Sequence, residues 1–266
     1  MGFKITYLDV DSKGRIDLKQ LEKSITRQTI LISIMYANNE IGTIQNIEEI
    51  GKIAKYYGIY FHTDAVQAVG NINIDVKKLG ISALSLSAHK FYGPKGIGAA
   101  YIAENVNFIR IQDGGHQEKD KRSGTENVAG IVGLGKAIEL AENNISSYNV
   151  KLQKLRNYCF SQIQKNIPFI RINGDLENRL PGNCNICFKG VSGADMLTEL
   201  DKVGICVSSG SACSAGLLTP SHVLLAIGVP ANIARSSLRV TFGKENTMED
   251  VDYLVENLIK IVDKLR

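Results

Sequence analysis

Between residues 29 and 102, short apolar runs of strand length alternate with a helical stripe, and this alternation narrows the folds open to the chain. Residues 29–35 are rich in β-branched and apolar side chains. Ile47, Ile50, Ala54 and Tyr57 then recur at helical spacing up to Gly58, a residue suited to closing a helix. Residues 59–64, 81–86 and 98–102 read as three more strands. Upstream, residues 4–8 predict a short strand, and Leu18, Leu21 and Ile25 predict a helix. Strands alternating with helices predict an α/β fold with a mainly parallel sheet. Ligands of such sheets collect in a crevice beyond the carboxyl ends of the strands.

After residue 103 the text changes. Residues 104–125 are polar and glycine-bearing, which predicts a long loop ending Lys121-Arg122-Ser123-Gly124-Thr125. Helical sequence runs from about Val128 to Lys165, with a break expected near Asn143-Asn144. The domain change is placed there: residues 1–143 form a large domain and residues 144–266 a smaller C-terminal α+β domain. Within the second, residues 169–172, 185–188, 204–207 and 237–242 read as strands. Thr247 is a candidate N-cap for a last helix that buries Val251, Leu254, Val255, Leu258 and Val262.

Composition excludes several function classes. A chain of 266 residues is long enough for a proper core. No apolar run is long enough to span a bilayer, which argues against a membrane partner. The net charge of +4 comes from dispersed lysines with no basic stripe or aromatic ladder, which argues against nucleic acid and leaves small anions open. The five cysteines are an odd number and no secretory leader is read, so the expectation is a reducing cytoplasm without a disulfide framework. Cys184 and Cys187 share a strand on which positions three apart face opposite sides, so they read as structural thiols and no intrinsic metal site is expected. Cys159 and Cys206 read as packing residues.

The stretch Ser85-Leu86-Ser87-Ala88-His89-Lys90-Phe91-Tyr92-Gly93-Pro94-Lys95-Gly96 carries the chemistry. A lone lysine before a loop is ordinarily a surface residue. Here Ser87 and His89 stand beside it, able to reach an anion, and His62-Thr63-Asp64-Ala65-Val66-Gln67 ends another strand on a carboxylate. An amine that condenses with an aldehyde and a carboxylate that keeps a pyridinium protonated are the two groups pyridoxal phosphate needs. Residues 208–216 contain nothing bulky and carry Cys213, which reads as a mobile arm with a nucleophilic thiol or as a surface loop with an incidental one. Asn38-Asn39-Glu40-Ile41-Gly42 offers an amide to a cofactor or substrate, or is simply a turn. Arg239, set among apolar residues, calls for a carboxylate, either structural or a substrate's.

In order along the chain, Asn38 to Gly42, His62 to Gln67, Ser87 to Lys90, Arg122 to Thr125, Ser208-Ser209-Gly210-Ser211-Ala212-Cys213 and Ser236 to Arg239 closely resemble the cysteine desulfurases of the NifS/IscS type. These are class-V aminotransferases of pyridoxal-phosphate fold type I, and the likeness runs from about Gly2 to the C-terminus. The resemblance implies that Lys90 attaches the cofactor and shuttles the proton, and that Asp64 pairs with the pyridine nitrogen. Asn39 and Gln67 would contact the cofactor ring oxygen or the substrate. Ser87 and His89 would bind the phosphate, joined by Thr125 from a partner subunit, with His89 also counted among the catalytic groups. Arg239 would hold the substrate carboxylate. Cys213 would take the sulfur of L-cysteine, leaving L-alanine and a persulfide.

The sulfur acceptor would be an iron-sulfur scaffold or another thio-cofactor protein, with which Cys213 could transiently share a cluster. The assembly would be a homodimer. One departure stands out: the matching text opens at Met1-Gly2-Phe3-Lys4, whereas family members begin well upstream. A glycine- and threonine-bearing phosphate turn and a ring-stacking histidine are not found, since His62 falls in the strand before Asp64. The expectation is a large domain incomplete at its N-terminus, with exposed sheet edges and poor activity alone, or one paired with a missing N-terminal chain. Two other readings stay open: a related transaminase or selenocysteine lyase, and an inactive fragment that binds a full-length homologue.

Overall fold

The computed structural model describes residues 2–210 and 219–266. In chain order the elements are α1 (Leu18–Ser24), β1 (Leu31–Ser33), α2 (Ile47–Tyr57), β2 (Tyr60–Asp64), β3 (Ala83–Ser87), a 3₁₀ turn (Ala88–Phe91) and β4 (Gly98–Ile102). There follow α3 (Gln117–Asp120), α4 (Val128–Asn166), β5 (Ile170–Ile172), β6 (Asn183–Phe188), α5 (Gly193–Lys202), α6 (His222–Ala226), α7 (Ala231–Ala234), β7 (Ser237–Thr241) and α8 (Met248–Leu265). They fall into two compact units. Ile25–Tyr36 and Asn46–Ile145 make a sheet unit, and the described residues of Met1–Ser24, Ala37–Gln45 and Ser146–Arg266 make a second. The change of unit inside α4 lies two residues from the expected boundary. Residues 1–24 and 37–45, placed with the large domain by sequence order, group instead with the C-terminal residues.

The sheet unit carries one four-stranded sheet in the order β1-β2-β3-β4, with β1, β2 and β3 parallel and β4 antiparallel to β3. The mainly parallel α/β reading is observed. Phe61, Thr63 and Leu84 are buried on one face; by the alternation of strand residues, His62, Asp64, Ser85 and Ser87 occupy the other. The helical stripe of α2 buries Ile47, Ile50 and Ala54. Gly51 lies so close to the following turn that a Cβ there would meet the Leu79 carbonyl oxygen at 2.0 Å. The helix starts on the Asn46 side chain and stops at Gly58, whose φ of 66° is open to glycine at little cost.

The second unit holds an antiparallel sheet, β5-β6-β7. Leu155, Cys159 and Ile163 of α4, Cys184 and Ile186 of β6, Met196 and Leu200 of α5, Leu238 of β7, and Val251, Leu254, Leu258 and Val262 of α8 share one buried core. Each fully buried aliphatic side chain there contributes about 1.5–3 kcal/mol. Cys187 lies in a different cluster, with Ile41, Leu224 and Ile227, so the two cysteines of the Cys-x-x-Cys face opposite sides of β6 as expected. The neighbouring Cys184 thiol, and then burial, push the Cys159 thiol well above its ordinary value. Thr247 and Asp250 cap α8 reciprocally.

Several expectations are corrected. Residues 4–8 form no strand, and Phe3, Ile5 and Tyr7 are exposed; alternating apolar residues make a strand only when another strand pairs with them. Residues 204–207 likewise form no strand, the segment touching the sheet only through a bridge between Ser208 and Arg239. Cys206 is exposed and does not pack. The expected break at Asn143-Asn144 is absent: α4 runs unbroken for 39 residues. The Asn144 amide turns back to donate to the Leu140 carbonyl at 2.8 Å, within the helix. Residues 104–125 include the short α3, in which Glu118 and Lys119 have positive φ.

Candidate functional site

In the sheet unit the sequence sets a carboxylate at one strand end and a lysine just past the next. β2 ends at Asp64, whose Oδ1 accepts from the Val66 N–H at 2.9 Å. Asp64 pairs in register with Ser85, so Ser87 lies two residues further along the adjacent strand and on the same face. Beyond Ser87 the chain enters the 3₁₀ turn. Ala88 and Phe91 are buried, and at three residues per turn they lie one above the other on the inward side. His89 and Lys90 between them therefore face outward and are exposed. Ser87 Oγ and His89 Nδ1 are 2.8 Å apart. His62 bridges the strands, with Nδ1 2.8 Å from Ser33 Oγ and Nε2 3.2 Å from Ser85 Oγ.

Gln67 is half-buried in the turn after β2, and Thr125 is exposed in the loop before α4. A half-buried carboxylate, an exposed primary amine and a hydroxyl–imidazole pair at neighbouring strand ends are the donor set that pyridoxal phosphate requires, so these residues fit that group. His62 is held by hydroxyls within the sheet.

The second unit places Asn39 and Arg239 together. Arg239 Nη1 donates to the Asn39 carbonyl at 3.3 Å. The Asn38 side-chain oxygen accepts from the Glu40 and Ile41 N–H groups at 2.8 and 3.0 Å, which makes the turn. Gly42 at φ 74° completes it, since a Cβ there would meet Asn183 Oδ1 at 2.6 Å. Cys213 lies outside the described residues.

Sequence reading missed a buried polar cluster around that turn. Glu40, Asn173, Asn183, Asn185 and Arg179 are all almost fully buried. Asn183 and Asn185 each donate an amide N–H to the Glu40 carbonyl at 3.1 Å. Arg179 donates to Asn183 Oδ1 at 2.9 Å and to the Asn173 carbonyl at 2.7 Å, and burial pulls its guanidinium down to about 10. The available signal was asparagine at alternate positions of an otherwise apolar strand, Asn183-Cys184-Asn185-Ile186-Cys187-Phe188. An open cleft in the same unit, lined by Asp9, Asp11, Arg15, Asp17, Lys19 and Lys23 among others, contains none of the expected site residues. Among the described residues no group of three or more His, Cys, Asp or Glu side chains is placed to hold a metal ion. No helix among them is long and apolar enough to cross a membrane.

Comparison with known proteins gives a consistent result. A family model described as aminotransferase class-V matches residues 1–254. The chain is 52% identical over 267 residues to a cysteine desulfurase IscS of Clostridium botulinum (strain Hall), covering 100% of this chain and 67% of that protein. It is 53% identical over 265 residues to a cysteine desulfurase IscS of Methanosarcina thermophila, covering 100% and 65%. A solved structure titled NifS-like protein superposes with a TM-score of 0.91 at 38% identity, covering 99% of this chain and 69% of that one. The chain thus spans about two thirds of the length of the curated relatives it matches.

Proposed function

Because the chain belongs to the class-V aminotransferases, among the cysteine desulfurases, we propose that its own residues divide the removal of sulfur from L-cysteine between a cofactor-holding set and a substrate-holding set. The cofactor set is Asp64, Gln67, Ser87, His89 and Lys90, with Thr125 supplied across a homodimer. Asp64 would hold a proton on the pyridine nitrogen, and the Ser87–His89 pair, 2.8 Å apart, would receive the phosphate. Pyridoxal phosphate supplies an electron sink for the bonds broken at the substrate's α and β carbons. The Lys90 amine, exposed past the end of β3, attaches the cofactor and carries the proton taken from the α carbon.

Arg239 and Asn39 form the substrate set: a guanidinium suits the cysteine carboxylate, and the Asn39 amide suits the cofactor ring oxygen or the substrate. The Cys213 thiolate attacks the substrate sulfur. The carbon–sulfur bond breaks, sulfur stays on Cys213 as a persulfide, and the carbon skeleton, once protonated, leaves as L-alanine. The persulfide is then passed to an acceptor protein in iron-sulfur cluster or thio-cofactor assembly, in the cytoplasm.

The observation that carries this reading is the pairing of Asp64 opposite Ser85 in adjacent parallel strands, with Ser87, His89 and Lys90 following directly. The test is reduction with borohydride in the presence of pyridoxal phosphate, followed by peptide mapping, together with sulfide release from L-cysteine. The expected label is on Lys90, and Cys213→Ser is expected to abolish sulfide release. A label elsewhere removes Lys90 from its role. Full sulfide release by Cys213→Ser removes the thiol from its own and favours a related lyase chemistry.

A further inference from the structure

Glu40 is a carboxylate with 1% of its surface exposed, and none of the roles above uses it. Its main chain and its side chain are fixed separately. The carbonyl is gripped by the amides of Asn183 and Asn185, and neither amide is free to flip. Asn173 donates to Asn185 Oδ1 at 2.8 Å, and Arg179 donates to Asn183 Oδ1 at 2.9 Å. Each oxygen is thereby used as an acceptor, which leaves each NH₂ to point at Glu40. The peptide before it is held as well, its N–H on Asn38 Oδ1 and its carbonyl on Arg239.

The side chain reaches elsewhere. Glu40 Oε2 accepts from the Ser221 hydroxyl at 2.6 Å, a short, charge-assisted bond. Ser221 is also the N-cap of α6. The same carboxylate oxygen lies against Gly210, where a Cβ would stand 3.6 Å from it. Gly210 and Ser221 flank residues 211–218, the stretch that contains Cys213 in the sequence. One residue thus touches the chain on both sides of the thiol's stretch and also, through its backbone, the partner of the Arg239 guanidinium.

We propose that Glu40 is a positioning residue for sulfur transfer: its backbone aligns Asn39 and Arg239, and its carboxylate fixes the two ends of the thiol-bearing stretch relative to them. This inference rests on the proposed roles of Arg239 and Cys213. It predicts a division that a general stabilising role would not produce. Loss of the carboxylate acts on the thiol step and so on kcat, whereas loosening of the Glu40 carbonyl acts on carboxylate binding and so on KM.

The test compares Glu40→Leu with Glu40→Gln, whose amide oxygen still accepts from Ser221, and adds Asn185→Ser. In the cofactor-free protein, iodoacetamide alkylation of Cys213 is measured by peptide mapping against the exposed Cys206 as internal reference. With pyridoxal phosphate and L-cysteine, kcat and KM for sulfide release are measured. Glu40→Leu is expected to change the Cys213 to Cys206 ratio by about threefold or more and to lower kcat about tenfold with KM within about twofold, and Glu40→Gln to recover most of both. Asn185→Ser is expected to raise KM more than it lowers kcat. Equal behaviour of Leu and Gln, or an unchanged alkylation ratio, overturns the proposal. If Glu40→Leu does not fold, Ser221→Ala against Ser221→Thr probes the same bond under the same criteria. If the unmodified protein with cofactor releases no sulfide, the desulfurase roles fail, and the alkylation ratio still decides the positioning role.

Discussion

The two units treat their polar side chains in opposite ways. In the sheet unit His89, Lys90 and Thr125 are exposed and Asp64, Gln67 and Ser87 half-buried, while the fold beneath them rests on Phe61, Leu84, Ala88 and Phe91. In the second unit Glu40, Asn173, Asn183, Asn185 and Arg179 are nearly inaccessible, and their hydrogen bonds themselves join the 38–42 turn to β6 and β7. A reactive group standing on an apolar base can be exchanged without harm to the base. A buried polar group cannot be removed without leaving its partners unsatisfied.

The sharpest way to break that contrast is Lys90→Ala. Cofactor labelling and sulfide release should fall by about a thousandfold or more, while stability in denaturant stays within about 0.5 kcal/mol. A substantial loss of stability would mean that the amine also supports the turn. On the other side, Asn185→Leu strands the Asn173 amide and one grip on Glu40, and a loss of about 2–4 kcal/mol is expected in urea titration. A loss below about 0.5 kcal/mol would show that the buried network is dispensable and would erase the distinction.

Two smaller effects sharpen it at the surface of the second unit. Thr247→Ala removes half of the reciprocal cap on α8 and should cost about 1 kcal/mol by thermal melting, without changing sulfide release. The smallest effect is expected at Glu199, whose carboxyl is drawn down to about 2 by Lys202 and then Lys264, linking α5 to α8. A carboxyl lowered on folding stabilises above its unfolded value and loses that contribution as pH falls through the folded one. Glu199→Gln should therefore lower the melting temperature slightly at pH 7, by less in high salt, and not at all near pH 2.

Legibility in the sequence follows the same contrast. β2, β3, β4, α2 and α8 were readable because each carries its own period and its own punctuation: Gly58 ends α2, Thr247 starts α8, and polar residues begin where β3 stops. Asp64 and Lys90 stood out because they terminate apolar runs. Glu40 did not, since its importance lies in Ser221, Asn183 and Asn185, which are 181, 143 and 145 residues away along the chain. Residues 4–8 misled for the same reason in reverse, showing strand alternation without a neighbouring strand to pair with. The two asparagines at 143 and 144 suggested a helix end that the Leu140 carbonyl took away.

The turn that follows β3 has a consequence for how such a chain can change over time. Its grip depends on the small Ala88 and the bulky Phe91 alone, so mutations at 89 and 90 are filtered by chemistry rather than by folding. New reactivity could be tried at those two positions while the scaffold stays constant, which makes this short loop the place where a descendant of this protein would most cheaply acquire a different reaction.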